Sequence, residues 1–187
     1  MLVSIVRHGT TTWNVLKKIQ GQADPPLNEE GIAQAKKLGE IITDEIPSYR
    51  AIFSSTKKRA KKTAELIVGE NNKTILFDSL LNSRDVGIFS GMTLEEIEEQ
   101  YPKLYTQWIE GNPDFCPPLG ESTKSLVIRS QDFIQFLKST FSGDSKILVV
   151  THRENLGILA YLITGKRIED ALRRIENCKL YNYELKK

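Results

Sequence analysis

The chain has 187 residues, of which 40% are apolar and 27% are charged, and its formal net charge is +2. These values are typical of one soluble domain with a filled core, and so small a net charge gives no general argument for binding nucleic acid or an anionic membrane. Cys116 and Cys178 form no C-x-x-C pair, no signal peptide is visible, and no apolar stretch approaches the roughly 20 residues that span a bilayer. We therefore expect a cytoplasmic protein with no nucleic-acid and no membrane partner.

Apolar periodicity divides the chain into alternating strands and helices. The first half is predicted to contain a strand over 2–6, a loop over 12–26, a helix over 29–45, a strand over 51–53, a helix over 57–68 and a strand over 74–77. The second half is predicted to contain an irregular stretch over 80–93, helices over 94–100 and 102–108, a loop over 112–120, a helix over 122–141, a strand over 146–150, helices over 154–163 and 168–174, and a strand over 180–185. This order predicts an α/β fold, a three-layer α/β/α sandwich with a mostly parallel central sheet, in which ligands bind at the carboxyl ends of the strands.

The two histidines of the chain stand directly after predicted central strands. Arg7 precedes His8, and Arg153 follows His152, so each histidine has an arginine beside it. A divalent cation would favour carboxylates or thiolates, whereas the guanidinium fork matches the oxygens of a phosphate. Arg59, in the first turns of the helix after the second strand, can point at the same edge of the sheet. The pattern predicts an oxyanion site rather than a metal site.

Five ordered motifs resemble those of the histidine phosphatase superfamily, in its phosphoglycerate mutase-like, short phosphatase branch. The matching residues are Val6-Arg7-His8-Gly9-Thr10 with Trp13-Asn14, Gln20-Gly21 through Gln34-Ala35, Ser54-Ser55 with Arg59-Ala60 and Thr63-Ala64, Pro117 through Ser122, and Val149 through His152. The resemblance runs over nearly the whole chain. We therefore expect a single domain over 1–187, with a helical and loop insertion around 79–121 that covers the site.

The resemblance implies a phosphomonoester hydrolase that needs no metal and no cofactor. His8, in its neutral form, would attack phosphorus in line and become a phosphohistidine that water later hydrolyses. Arg7, Arg59 and His152 would neutralise the phosphoryl oxygens as charge redistributes. The other predicted phosphate contacts come from Asn14, Gln20, Gly21 and the backbone N–H of Arg153.

The resemblance breaks at the general acid. The family usually places a glutamate in a stretch of the form Leu-x-Glu-x-x-x-Gly, and the matching stretch from Leu81 has Ser83 at that position. A serine hydroxyl is far too weak an acid to protonate a leaving alkoxide near neutral pH. Three alternatives stay open: Asp85, two residues along an extended backbone, acts as the acid; Glu121 or Glu154 does; or the protein hydrolyses only esters with good leaving groups, or hardly any, and mainly binds phosphorylated ligands.

The expected ligand is a small-molecule phosphate ester whose identity the sequence leaves open. Candidate pocket walls are the aromatic residues Trp13, Phe89, Trp108 and Phe115, and Lys17 and Lys18 could meet a second anionic group. A phosphoglycerate mutase is the alternative enzyme, ranked lower because mutases of the family tend to be longer. The oligomeric state stays open between a monomer and a homodimer.

Overall fold

A computed structural model describes residues 1–166 and 175–186 of the chain, and in it five strands form one sheet. The strands are β1 (Leu2–Arg7), β2 (Ala51–Ser55), β3 (Ile75–Asp78), β4 (Lys146–Thr151) and β5 (Leu180–Glu184). Their order across the sheet is β3-β2-β4-β1-β5; the first four are parallel, and β5 pairs antiparallel with β1. The predicted α/β fold with a mostly parallel sheet is therefore confirmed. The helix predicted over 168–174 lies outside the described residues.

The helices follow the predicted order with one addition. They are α1 (Thr12–Val15), α2 (Glu29–Ile41), α3 (Lys58–Val68), α4 (Leu94–Gln100), α5 (Pro102–Ile109), α6 (Thr123–Thr140) and α7 (Arg153–Thr164). Short 3-10 turns lie at Ile46–Ser48, Ser79–Leu81 and Gly87–Phe89. The single-turn helix α1 lies within the predicted loop, because Thr11 and Asn14 form a reciprocal capping box around it. Such a short helix has no room for apolar periodicity, so the sequence pattern missed it.

Apolar side chains on both faces of the sheet hold the helices against it. Along β4, Ile147 and Val149 point to the face covered by α6 and α7, while Leu148 and Val150 point to the face covered by α2 and α3. These four side chains are fully buried, as expected for a central strand that alternates between two covered faces. The sheet is thus the middle layer of three.

A third, smaller apolar cluster lies within the segment 79–121. Val86, Phe89 and Ile97 are its buried members, and the ring of Phe89 stacks on Trp108 with centroids 4.7 Å apart. The backbone of this segment contacts the carboxyl end of β4, because Thr151 Oγ1 donates to the carbonyl of Leu81 at 2.7 Å. Within the described residues, no helix is both long enough and apolar enough to cross a membrane.

Candidate active site

The two histidines meet at the carboxyl edge of the sheet. β1 and β4 are parallel neighbours in a register that pairs Arg7 with Thr151, so the residues that follow them are also adjacent. The backbone N–H of His8 donates to the carbonyl of Thr151 at 2.9 Å. The rings of His8 and His152 lie with their centroids 5.2 Å apart. The sheet register therefore brings together two side chains that are 144 positions apart in the sequence.

A cavity of about 450 Å³ opens above these histidines. Its polar floor contains Arg7, His8, Arg59 and His152. Its walls include Trp13, Asn14, Ser83, Val86, Leu94 and Trp108. Further charged side chains on its lining are Lys17, Lys18, Arg153 and Glu154. Five cations against one carboxylate give this cavity a positive potential that the nearly neutral chain as a whole does not have.

His8 is held as a neutral imidazole with a defined tautomer. The ring is 4% exposed, and burial first, then the charges of Arg59 and Arg7, hold the pKa of His8 well below its usual range. Its Nδ1 lies 2.8 Å from the carbonyl oxygen of Gly9, which can only accept, so Nδ1 carries the proton. The lone pair is therefore on Nε2, which is the atom free to act as a nucleophile.

The turn that presents His8 requires a glycine after it. A Cβ on Gly9 would stand 2.6 Å from the carbonyl oxygen of Gly31, in the first turn of α2, which is closer than real Cβ contacts come. The N–H of Gly9 donates to Thr63 Oγ1 on α3 at 3.0 Å. Close packing of α2 and α3 against this turn thus fixes the direction of the His8 side chain.

His152 is neutral as well, with the opposite tautomer. Its Nε2 lies 2.8 Å from Ser55 Oγ. That hydroxyl donates its one proton to Asn82 Oδ1 at 2.8 Å, so Nε2 carries the proton and donates to Ser55. Burial, followed by the charge of Arg59, holds the pKa of His152 well below its usual range. Nδ1 is buried without a protein partner and carries a lone pair.

Arg59 is anchored in a collar of oxygens and is 1% exposed. Its Nη1 donates to the carbonyl of Ala23 at 2.7 Å and pairs with Asp24 Oδ1 at 3.4 Å, and its Nη2 donates to the carbonyl of Gly21 at 3.1 Å. Burial lowers the pKa of Arg59 to about 10, and Asp24 opposes that shift. Asp24 Oδ2 also accepts from the N–H of Lys58 at 2.7 Å, so one carboxylate fixes the guanidinium and caps the helix that bears it.

Arg7 completes the floor. Its Nη1 donates to the carbonyl of Ile175 at 3.3 Å. Burial and then the charge of Arg153 lower the pKa of Arg7 to about 10, so the side chain stays cationic at neutral pH. The Nε atoms of Arg7 and Arg59 are both buried, and neither has a hydrogen-bond partner in the part of the chain that the structure describes. Two unsatisfied cationic donors in one cavity cost free energy unless an anion binds there, and the planar guanidinium suits a phosphate.

Comparison with known proteins agrees with this anion site. The sequence profile of the histidine phosphatase superfamily (branch 1) matches residues 3–187. The chain belongs to the histidine phosphatase superfamily. It is 34% identical over 179 residues to a probable phosphoglycerate mutase, GpmB, of Salmonella choleraesuis, and that alignment covers 95% of this chain and 82% of that protein.

Solved structures of small phosphatases have the same fold as this histidine phosphatase superfamily member. The alpha-ribazole phosphatase of Shigella flexneri superposes with a TM-score of 0.88 at 24% identity, over 97% of this chain and 89% of that one. A mycobacterial glucosyl-3-phosphoglycerate phosphatase, solved in complex with VO3, gives a TM-score of 0.83 at 24% identity, over 97% and 91% of the two chains. At these identities the likeness establishes the fold, not the substrate.

The other predicted phosphate contacts of this family member all line the cavity, in different ways. Asn14 uses Oδ1 to accept from Thr11, which leaves its amide donors for a ligand. Gln20 instead donates Nε2 to Thr11 Oγ1 and leaves Oε1 buried and unpaired, so it can accept from a ligand hydroxyl. Gly21 acts through its carbonyl, which orients Arg59. Arg153 is the first residue of α7, where backbone N–H groups have no intrahelical acceptor.

The three candidate acids lie in different surroundings. Asp85 caps the 3-10 turn at Gly87, because its Oδ1 accepts from the N–H of Gly87 at 2.9 Å, and it is not on the cavity lining. Glu121 pairs with Arg129, which donates from Nε to Oε1 at 2.8 Å. Among these three carboxylates Glu154 alone lines the cavity, together with Ser83. The contact with the N–H of Gly87 engages one oxygen of Asp85 with its own chain.

The aromatic wall predictions were half right. Trp13 and Trp108 line the cavity, but Phe89 is fully buried behind Trp108, and Phe115 packs on the small cluster of the segment 79–121. Sequence reasoning also missed Asp24 as the partner of Arg59. Its place directly before Pro25 and Pro26 gave only a loop signal. Within the described residues, no three His, Cys, Asp or Glu side chains are grouped so that they could hold a metal ion.

Proposed function

We propose that the protein is a phosphomonoester hydrolase that acts through a phosphohistidine on His8 and needs no metal ion. The observation that carries this proposal is the state of His8, a neutral ring with its proton on Nδ1 and a free lone pair on Nε2 beside two buried guanidinium groups. A nucleophile that is already deprotonated needs no separate base, and arginine cations can supply the charge that a metal would otherwise bring.

In the first step, Nε2 of His8 attacks the phosphorus of the bound ester and forms a P–N bond. The bond from phosphorus to the ester oxygen breaks, and its electron pair leaves with that oxygen. Arg7 and Arg59 offset the charge on the phosphoryl oxygens through Nε atoms that have no other partner. In the second step, water displaces the histidine and releases phosphate.

The dianion of a phosphate ester meets two imidazole lone pairs in the resting site, one on His8 Nε2 and one on His152 Nδ1. The second of these must become a donor to bind an anionic oxygen. We therefore infer that His152 takes up a proton when the phosphoryl group binds, and that the anion's charge raises the pKa of His152 from its low resting range.

We also propose that the segment 79–121 covers the site. It contributes Ser83, Val86, Leu94 and Trp108 to the cavity lining, although most of its apolar residues form a cluster of their own. A wall of this kind excludes water from the phosphoryl group and leaves space for the ester's alcohol part. The expected ligand is a small-molecule phosphate ester that fits between the two indoles.

Phosphoglycerate mutase activity is the second candidate function, and two observations support it. A relative at 34% identity is a probable mutase, and Lys17 and Lys18 lie on the lining where they could meet a carboxylate. The third candidate is a phosphate-binding protein with little turnover, because Ser83 cannot act as the general acid. Mutase activity would appear as conversion between 2- and 3-phosphoglycerate after priming with 2,3-bisphosphoglycerate.

The deciding experiment measures hydrolysis of an aryl phosphate in the presence of EDTA, together with acid-labile phosphate labelling of the protein. We expect hydrolysis to resist EDTA and both signals to disappear in His8→Ala. Circular dichroism of that variant checks that it is folded. Hydrolysis that continues unchanged in His8→Ala would overturn the proposal, and binding of phosphate with neither label nor turnover in wild type would favour the phosphate-binding alternative.

A further inference from the structure

We propose that Glu154 is the general base that activates water in the second step, and that the buried guanidinium of Arg84 positions it. This inference rests on the proposed phosphohistidine route. Among the described residues that line the cavity, Glu154 is the one carboxylate, and it shares that lining with Ser83. It lies two residues after His152, in the first turn of α7. The backbone that places one site histidine therefore also places this carboxylate.

Arg84 is a cation whose position is otherwise hard to explain. Its side chain is 4% exposed, and its Nε lies 3.3 Å from Glu154 Oε2. Its Nη1 donates to Thr123 Oγ1 at 2.6 Å, and its guanidinium carbon lies 5.3 Å from the ring centroid of Trp108. Among the described residues, neither Nε nor Nη2 has a hydrogen-bond partner, so Nε meets Glu154 as a charge contact and not as a hydrogen bond. Burying a charge is costly, and Glu154 is the carboxylate paired with it.

The pair connects two parts of the site that are distant in sequence. Arg84 belongs to the 79–121 segment and follows Ser83 directly, while Glu154 belongs to α7 and follows His152. The ion pair holds the carboxylate beside the guanidinium that lies over Trp108, on the cavity lining that also includes Ser83. Water must approach the phosphorus of a phosphohistidine from the side opposite Nε2, so a base on the wall is on the required side.

Charge decides which proton transfer Glu154 performs. Glu154 Oε2 faces the guanidinium of Arg84, and both that cation and the N-terminus of α7 favour a negative charge at this position. The carboxylate therefore accepts a proton rather than donating one. As water attacks, an O–P bond forms, one water proton moves to Glu154, the P–N bond breaks, and its electron pair returns to Nε2 of His8. The proton then passes to solvent, since the Glu154 side chain is 41% exposed.

The first step then has no acid. The ester oxygen leaves without a proton from the protein, so the rate of that step depends on how well the leaving group carries negative charge. This accounts for Ser83 without making the protein inactive. It assigns the site to phosphate compounds with stabilised leaving groups, such as aryl phosphates, in preference to alkyl phosphates.

The test follows a p-nitrophenyl phosphate reaction by stopped flow, with acid-labile labelling measured in parallel. In Glu154→Gln we expect a burst of about one nitrophenolate per protein, an accumulated phosphohistidine, and steady turnover lowered by roughly 10²-fold or more. Added formate should restore turnover in Glu154→Ala, because a free carboxylate can take the proton. Glu98→Gln, which removes an exposed carboxylate on α4, is the matched control and should behave as wild type.

Arg84 is tested as a positioning residue by comparing Arg84→Lys with Arg84→Met. We expect Arg84→Met to accumulate phosphohistidine with little change in KM, and Arg84→Lys to recover part of the turnover. Wild-type turnover without a burst in Glu154→Gln, on a protein that still labels at His8, would overturn the assignment of Glu154 while leaving the proposed function intact. Absence of any label in wild type and in Glu154→Gln would instead overturn the phosphohistidine route itself.

Discussion

The depressed pKa of His8 predicts that acid destabilises the fold through this one side chain. In the folded protein, burial and the charges of Arg59 and Arg7 hold the pKa of His8 well below its usual range, so the ring stays neutral. In the unfolded chain, the same ring takes up a proton near its ordinary pKa of about 6.5. Because the unfolded state then binds more protons, the free energy of unfolding falls as the pH drops below that value.

The magnitude follows from the ordinary pKa alone, as long as the folded ring stays neutral. At about pH 5.5 the unfolded state gains about 1.4 kcal/mol from one histidine, and at about pH 7.5 it gains almost nothing. Replacing His8 by Asn removes this contribution. The difference in unfolding free energy between His8→Asn and wild type should therefore move by about 1.4 kcal/mol in favour of the variant as the pH falls between those values.

Urea unfolding at these two pH values, without phosphate in the buffer, measures this difference. Carboxylates titrate in both proteins and cancel in the comparison. His152→Asn serves as the matched variant and should show a similar shift, since His152 is also buried with a lowered pKa. If the difference between His8→Asn and wild type is the same at both pH values, then His8 is not held neutral and the basis for its nucleophilic state is wrong.

Three more predictions address other parts of the site. Titration calorimetry of sulfate, an anion that carries no proton near neutral pH, in buffers of different ionisation enthalpy should detect uptake of close to one proton by His152 Nδ1, and zero uptake on binding would contradict the tautomer assigned to that ring. Asp24→Asn should lower the free energy of unfolding in urea by about 1–3 kcal/mol, because Arg59 loses its charged partner. Glu65→Gln is the control, because it removes the exposed pair of Lys62 and Glu65 on the same helix and should lower the free energy of unfolding by less than about 1 kcal/mol. Equal losses of unfolding free energy in the two variants would refute a special role for Asp24. Ser83→Glu should raise the hydrolysis rate of alkyl phosphates more than that of aryl phosphates, and equal or lower rates on both would show that position 83 cannot supply an acid.

The central sheet and the pair of histidines could be read from local patterns. A continuous apolar run such as 146–150 indicates a strand covered on both faces whatever the rest of the chain does. Parallel strands end at a common edge, so residues that follow two such strands are brought together by topology. His8 and His152 needed no more than this to be predicted as neighbours, and Arg7 and Arg153 came with them.

The identity of the carboxylate in the cavity could not be read in the same way. Asp85 is the candidate acid nearest in sequence to Ser83. Only the structure shows that its Oδ1 accepts from the N–H of Gly87, at the start of the 3-10 turn Gly87–Phe89. Glu154 reaches its place through an ion pair with Arg84, which is 70 positions away in sequence. Contacts across such distances depend on side-chain directions that periodicity does not encode.

The amino-acid sequence by itself determined the α/β fold, the family, and a candidate nucleophile with two arginines at one edge of the sheet. These follow from periodicity and ordered motifs, which are local properties of the chain. The tertiary structure decided the protonation of that nucleophile, because the proton on His8 Nδ1 is assigned by the carbonyl of Gly9 and the low pKa by burial. It also decided which of the candidate carboxylates lines the cavity, since that depends on how a loop and a helix start pack against each other.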